Sequence, residues 1–307
     1  MFFKKKYGTL RIVPVELNIK TQSMNKLLPL LFAAIVFTLF SCDKEKSLEN
    51  SGNGSDLIVG VNCRISKIVY TDTAAKRGLG SIEAAINNLD IVTRITQFDS
   101  IFNVIDFIAT PTYVNDTVYI NADEYFVVDI NKRISKLHGL TVPTDPFSNQ
   151  YDVDYIYTSS GYLSAKSYAF TTSPGLPVYF ISYAYAGGNL MQMTATDLLT
   201  GDLISDADIS YYNNIIPKRY LYLFPDEKTY SHFNQYFNFG LKSYNAVKSL
   251  KIRNYDPGNV LRDSTVAAFS NYIMSLDNYV LSVQMAGDDQ QSIPALAGKL
   301  RFSYKCK

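Results

Sequence analysis

The chain has 307 residues, 47% hydrophobic and 19% charged, with 29 Lys plus Arg against 28 Asp plus Glu. That composition suits a folded globular protein and excludes a disordered, highly charged one. Residues 1–41 hold six of the basic and one of the acidic residues, so the rest of the chain carries a net charge of −4. No window of that remainder concentrates Lys or Arg, which excludes a nucleic-acid binder needing a basic face to displace counterions.

Taken in chain order, the first element is an apolar run. Leu27 to Phe40 is fourteen residues without a charge, and a helix of that length reaches about 21 Å, short of the roughly 30 Å of a bilayer core. With Lys26 ahead of it, the run reads as the core of a signal peptide. Residues 1–23 carry Lys4, Lys5, Lys6, Arg11 and Lys20 but no apolar run, so translation is expected to start at Met24. The run closes on Leu39-Phe40-Ser41-Cys42, which resembles the lipobox of bacterial lipoproteins. That resemblance implies cleavage before Cys42 and lipid on its sulfur, and several acyl chains on one cysteine hold a membrane stably where a single chain does not. Phe40 is bulkier than the pattern's usual residue, which leaves ordinary cleavage nearby as the other reading. Residues 42–56 then form a polar tether, Asp43-Lys44-Glu45-Lys46 followed by a Ser, Asn and Gly stretch. Acids just after the cysteine direct surface export in Bacteroidetes-type lipoproteins; lysines interrupt them here, so the expected outer-membrane location leaves the periplasmic and surface faces both open.

From residue 57 to 307 the pattern is one antiparallel β domain. Period-two alternation places Tyr151, Val153, Tyr155 and Tyr157 on one strand face and Asp152 and Asp154 on the other. Similar runs cover Thr117 to Asp129, Pro177 to Tyr185, Arg219 to Phe224, Tyr279 to Met285 and Lys299 to Cys306. Gly, Asn, Asp and Ser turns separate them, which favours hairpins over parallel crossovers. Two segments predict short helices: Ser81 to Val92, with Ile82, Ala85, Ile86 and Leu89 on one face, and the stretch opened by Pro225, with Tyr230, Phe233 and Phe237 at helical spacing. Cys63 and Cys306 sit on apolar faces of the first and last strands. In an oxidising compartment they either bridge those strands or stay as two buried free thiols; spacing alone does not decide.

A weak repeat joins several turns: Tyr157-Thr-Ser-Ser-Gly161-Tyr-Leu163, Tyr185-Ala-Gly-Gly188-Asn-Leu190 and Tyr255-Asp-Pro-Gly258-Asn-Val260, with Asp129-Ile-Asn-Lys-Arg-Ile134 as a glycine-less relative. Together with the lipobox and the segment Phe239-Gly-Leu-Lys-Ser-Tyr-Asn-Ala-Val-Lys-Ser-Leu250, these turns resemble uncharacterised Bacteroidetes lipoproteins whose domain is described as porin-like. The resemblance implies an all-β fold with one or two short helices, a large curved antiparallel meander or partial barrel, and no established activity or cofactor. The same turn signal occurs in the unrelated YD repeats of large secreted shells.

Chemical signatures are sparse. The two histidines, His138 and His232, stand outside any metal-ligand spacing. Asp202, Asp206 and Asp208 cluster, yet the turn glycine and distal glutamate of a calcium loop are missing, so no metal site is expected. Asp152 and Asp154 share a strand face and would suit a glycosidase only if they flanked a sugar. Tyrosine is the enriched residue, 24 copies with no tryptophan. Most are expected to pack across the sheet, while Tyr179, Tyr183 and Tyr185 are the candidates for an exposed platform that takes a glycan or an envelope protein. The expectation is therefore a non-enzymatic, lipid-anchored binding or scaffolding protein of the cell envelope. A glycan-binding accessory protein of a polysaccharide-uptake system is the first alternative and a glycan hydrolase the second.

Overall fold

The computed structural model describes residues 63–72, 77–100, 103–141, 149–218, 235–289 and 298–306. The proposed leader, Cys42, the tether, the Arg219 to Phe224 strand, most of the Pro225 helix and His232 lie outside them. The folded unit is built from β1 (Cys63–Asp72), β2 (Arg77–Ile86), β3 (Val92–Asp99), β4 (Val104–Ala109), β5 (Thr112–Val114), β6 (Thr117–Tyr119), β7 (Tyr125–Val128), β8 (Ile134–Thr141) and β9 (Gln150–Tyr157). It continues through β10 (Leu163–Phe170), β11 (Pro177–Ala186), β12 (Asn189–Asp197), β13 (Leu203–Tyr211), β14 (Val247–Asp256), β15 (Val260–Met274), β16 (Val280–Asp289) and β17 (Gly298–Cys306).

Each pairing is antiparallel and almost all join neighbours in sequence, the meander that the short turns imply. β17 returns to β1 along its whole length, Cys63 opposite Cys306 and Asp72 opposite Gly298. At one place the ladder steps aside: β4 pairs with β3 and β5 pairs with β6, with only Thr110 and Pro111 between them. The Tyr113 hydroxyl donates to the Val92 carbonyl at 2.9 Å, so β5 runs on past the start of β3 as the second half of one bent strand. Proline cannot donate to a ladder, and Pro111 stands where the strand exchanges one partner for the other. The sheet is thus strongly curved, with its last strand paired to its first and its ladder interrupted between β4 and β5.

Among the described residues there is no helix. The expected helix over Ser81 to Val92 is instead the end of β2, a turn at residues 87–91 and the start of β3. The Asn87 side chain accepts from the Leu89 and Ile91 amides, and Asp90 takes φ 64°, so local turn chemistry overrides the helical spacing of the aliphatics. The run from Thr117 to Asp129 divides into β6 and β7, because Asn121 caps the amides of Asp123 and Glu124 and turns the chain.

The inward face is apolar: Ile95, Val153, Leu163, Met193, Ala207, Val280 and Val283 form one buried cluster with Phe126, Ile134, Tyr236 and Phe239. The outward face carries exposed Arg94, Asp154, Asp208, Lys248, Lys251 and Arg301. A transmembrane β-barrel has the reverse arrangement, a lipid-facing apolar band around a polar interior. Cys63 and Cys306 form a disulfide with sulfurs 2.07 Å apart and a sequence separation of 243. In the chain-entropy model a loop of that size stabilises the fold by upwards of about 4.7 kcal/mol.

Candidate functional site

The end of the wall that holds the disulfide also holds the turns β2–β3, β7–β8, β9–β10 and β11–β12, because strands alternate in direction. A strap, residues 235–246, crosses these turns. The Asn238 carbonyl accepts from Ile134 N at 2.8 Å, Leu241 N donates to the Gly161 carbonyl at 3.0 Å, and Tyr244 N donates to the Gly188 carbonyl at 3.0 Å. Asn245 exchanges backbone and side-chain hydrogen bonds with Asn189, and Phe239 drives its ring between Phe126 and Tyr155. The repeated Tyr-to-Gly turns therefore have a second task besides closing hairpins: in the first two copies the glycine carbonyl docks the strap. The third copy, at Gly258, joins β14 to β15 at the far end and takes no part.

Beside the strap lies a cavity of about 300 Å3 lined by Arg64, Asp90, Tyr113, Lys132, Tyr236 and Asn238 among others. Its charges are already matched. Arg64 donates to the Asp90 and Tyr236 carbonyls at 2.6 and 2.7 Å, and Lys132 lies 3.6 Å from Asp116. Burial pushes the Tyr113 phenol up to about 12, with the Arg64 charge opposing, and holds the Tyr236 phenol higher still, with Glu83 adding to it. These tyrosines are neutral hydrogen-bond donors at physiological pH. A second cavity, about 360 Å3, opens between Ile68, Tyr70, Gly80, Ile82, Met285 and Leu300, with Gln97 and Asp99 on one side. Its walls are chiefly apolar, and the Tyr70 ring fills the place that a side chain on residue 298 would need.

The outer face of β6 to β9 carries the densest polar constellation. Tyr119 stands opposite Tyr125 and Tyr125 opposite His138, with ring centroids 5.5 and 4.7 Å apart. His138 Nδ1 is 2.6 Å from Asp152 Oδ1, and Lys136 Nζ is 2.8 Å from Asp152 Oδ2. The hydrogen bond to Asp152 raises the Lys136 ammonium above the ordinary lysine range, partly opposed by burial. The irregular pairing between Leu137 and Leu140, with Gly139 at φ 80°, turns His138 towards Asp152. The Tyr125 and His138 rings are stacked and the Tyr119 ring is tilted against Tyr125.

The sequence candidates resolve as follows. Asp152 is 7% exposed and bound by Lys136 and His138, while Asp154 is exposed on the same outer face; neither lines either cavity described above. Asp206 and Asp208 are held by Arg253 at 2.6 and 2.7 Å, and no cluster of three or more metal-ligating side chains occurs among the described residues. The tyrosine platform is corrected. Tyr183 is 6% exposed, and Tyr179 and Tyr185 pack against the same core. Tyr183 also flanks an interior lysine: Lys166 is 0% exposed, and its ammonium lies 5.3 and 5.9 Å from the Tyr155 and Tyr183 ring centres. Aromatic faces stabilise a cation out of water, and the irregular pairing between Leu163 and Ala165 turns Lys166 inward where strict alternation would keep it out. The lysine's role was not legible beforehand, because a lone Lys on a strand reads as solvated.

No family model and no curated protein matches this chain. Among solved structures, it is similar to a porin-like protein from Bacteroides uniformis ATCC 8492, 10% identical, with a TM-score of 0.53 over 78% of this chain and 98% of that one. A porin-like protein from Bacteroides vulgatus ATCC 8482 is 12% identical, with a TM-score of 0.49 over 80% of this chain and 99% of that one. At such identities the first likeness shows the fold alone: a porin-like antiparallel β architecture.

Proposed function

We propose that this chain is a lipid-anchored protein of the bacterial cell envelope whose β domain binds or scaffolds a partner and performs no catalysis. The observation that carries the reading is the polarity of the wall: an apolar, packed inward face and a charged outward face make a domain that offers surfaces rather than a passage. The Leu39-Phe40-Ser41-Cys42 sequence supports the anchor. The porin-like architecture that this chain shares with the Bacteroides uniformis protein supports an envelope address.

The test is acylation in cells. The native chain is expected to incorporate labelled fatty acid and sediment with membranes, and Cys42→Ser to lose the label and appear in the soluble fraction. An acylated, membrane-bound Cys42→Ser protein removes the anchor. Release of reducing sugar from a glycan, abolished in a folded Asp152→Asn variant, overturns the non-enzymatic part.

A further inference from the structure

Exposed aliphatic side chains gather at the end of the sheet remote from the strap. The strands from β10 to β15 are successive neighbours in the sheet, so the turns β10–β11, β12–β13 and β14–β15 stand side by side at that end. Leu176, Leu199 and Val260 on these turns are 69%, 73% and 60% exposed, and Leu198 and Leu261 are exposed beside them. Leu89, Ile130 and Leu276 at the strap end are exposed too, but each stands singly, on turns that other strands separate. Single exposed aliphatics are ordinary, whereas a group of them marks an interaction surface.

The three turns are held both internally and to one another. Leu198 N donates to the Val178 carbonyl at 2.8 Å, and Leu203 N donates to the Asn259 side-chain oxygen at 2.6 Å, which ties the β12–β13 turn to the hairpin on either side. Within that turn Asp197 Oδ1 accepts from Leu199 N at 2.7 Å and from Thr200 N at 3.2 Å, while Gly201 takes φ 79°. These bonds fix the backbone that presents Leu198 and Leu199, so a partner need not order it. The surrounding charge has one sign: residues 171–178, 197–204 and 255–262 hold three Asp, one Arg and no Lys or His. The single cation is committed, since Arg262 lies 2.8 Å from Asp263 and 3.7 Å from Asp256.

We infer that these three turns form a docking face for a protein partner whose own surface presents aliphatic side chains ringed by Lys and Arg. The inference rests on the binding reading given above and names the chemistry of the partner. Charge decides the occupant. A second copy meeting through the same face would set Asp197, Asp202 and Asp256 against their own counterparts, and like charges brought together across an interface oppose pairing. Segments that lie on a bilayer surface carry Lys and Arg beside their apolar residues, and this face carries acids there instead. A partner with basic residues around an apolar centre matches both parts of the face.

The test uses the full chain carrying Cys42→Ser and, as probe, an acetylated amphipathic peptide of Leu and Lys at helical spacing, beside the same peptide with Glu in place of Lys. Saturable binding of the Leu/Lys peptide is expected, and none of the Leu/Glu peptide. Leu176→Ser with Leu199→Ser and Leu261→Ser is expected to weaken that binding by at least about tenfold while leaving the thermal melting curve in place. Asp202→Lys with Asp256→Lys is expected to weaken it comparably and to flatten its dependence on salt, and Leu89→Ser with Leu276→Ser to leave it unchanged. Binding that survives the triple Ser variant overturns this face and leaves the broader binding reading in place. The assigned partner is overturned by the absence of saturable Leu/Lys peptide binding, or by a solution dimer that the triple Ser variant dissociates. Sedimentation with phosphatidylethanolamine–phosphatidylglycerol vesicles that the triple Ser variant abolishes overturns it equally.

Discussion

At the residue scale, the tyrosines show how the same side chain reads differently once its face is known. Period-two alternation correctly placed Tyr179, Tyr183 and Tyr185 together on one side of β11, and the pairing Tyr183 opposite Met193 keeps that face continuous with the core. Alternation does not say which side faces in when both carry aromatics and small residues, and the tyrosine hydroxyl suits either. The neighbouring strand adds a contact that alternation does not announce: the Lys166 ammonium lies over the Tyr155 and Tyr183 rings. Tyr183→Ala is accordingly expected to act as a core truncation, lowering stability by roughly 3–5 kcal/mol. Urea denaturation monitored by circular dichroism measures it; a loss of less than about 1 kcal/mol, the size expected of a surface substitution, contradicts the inward assignment. Asp152 belongs to the same lesson. A carboxylate on an outer strand face reads as solvated until the strand alongside is known to bring Lys136 and His138 to it.

At the element scale, strands and turns were legible, and the helix expected over Ser81 to Val92 was the misreading. Val, Ile and Tyr at alternate positions announced β9, β11 and β17 close to their observed limits, and the first part of β16, since each buries one face and wets the other. Ser81 to Val92 failed because a hairpin with aliphatics on both arms can mimic a spacing of three and four, and only the Asn87 side-chain bonds reveal the turn. The segment from Phe239 onward was recognisable as a pattern but not as a strap, because its bonds reach turns scores of residues away. Gly240 is its fulcrum. It sits at φ 89°, and a Cβ there would lie 2.4 Å from the Gly161 carbonyl oxygen and 2.9 Å from the Tyr157 ring. Both contacts belong to groups that hold the β9–β10 turn, so neither can yield without moving it. Gly240→Ala is expected to lift the strap, with faster amide exchange at Leu241 and Tyr244 and a loss of about 2 kcal/mol or more in global stability. Unchanged exchange at these two amides, with the variant folded, contradicts a strap fixed through Gly240.

At the scale of the whole molecule, the likeness to porin-like proteins raises the question of whether this wall conducts. The answer follows from which face is apolar. Lipid contact requires an outward band without charge about 25 Å tall. The outer surface instead pairs Lys67 with Glu83 at 2.9 Å and Arg253 with Asp206 and Asp208, on strands from different parts of the ring. Charge at the bilayer midplane costs about 2–4 kcal/mol for each Lys or Arg on such a surface. The domain is thus expected to stay in water and to reach a membrane only through an anchor. Cys42→Ser protein should partition into the aqueous phase of a detergent cloud-point separation and produce no conductance steps in a planar bilayer, with reductant present or absent. Stepwise currents from that variant would mean that the wall rearranges to turn its apolar residues outward, which the Cys63–Cys306 bridge and the strap both oppose.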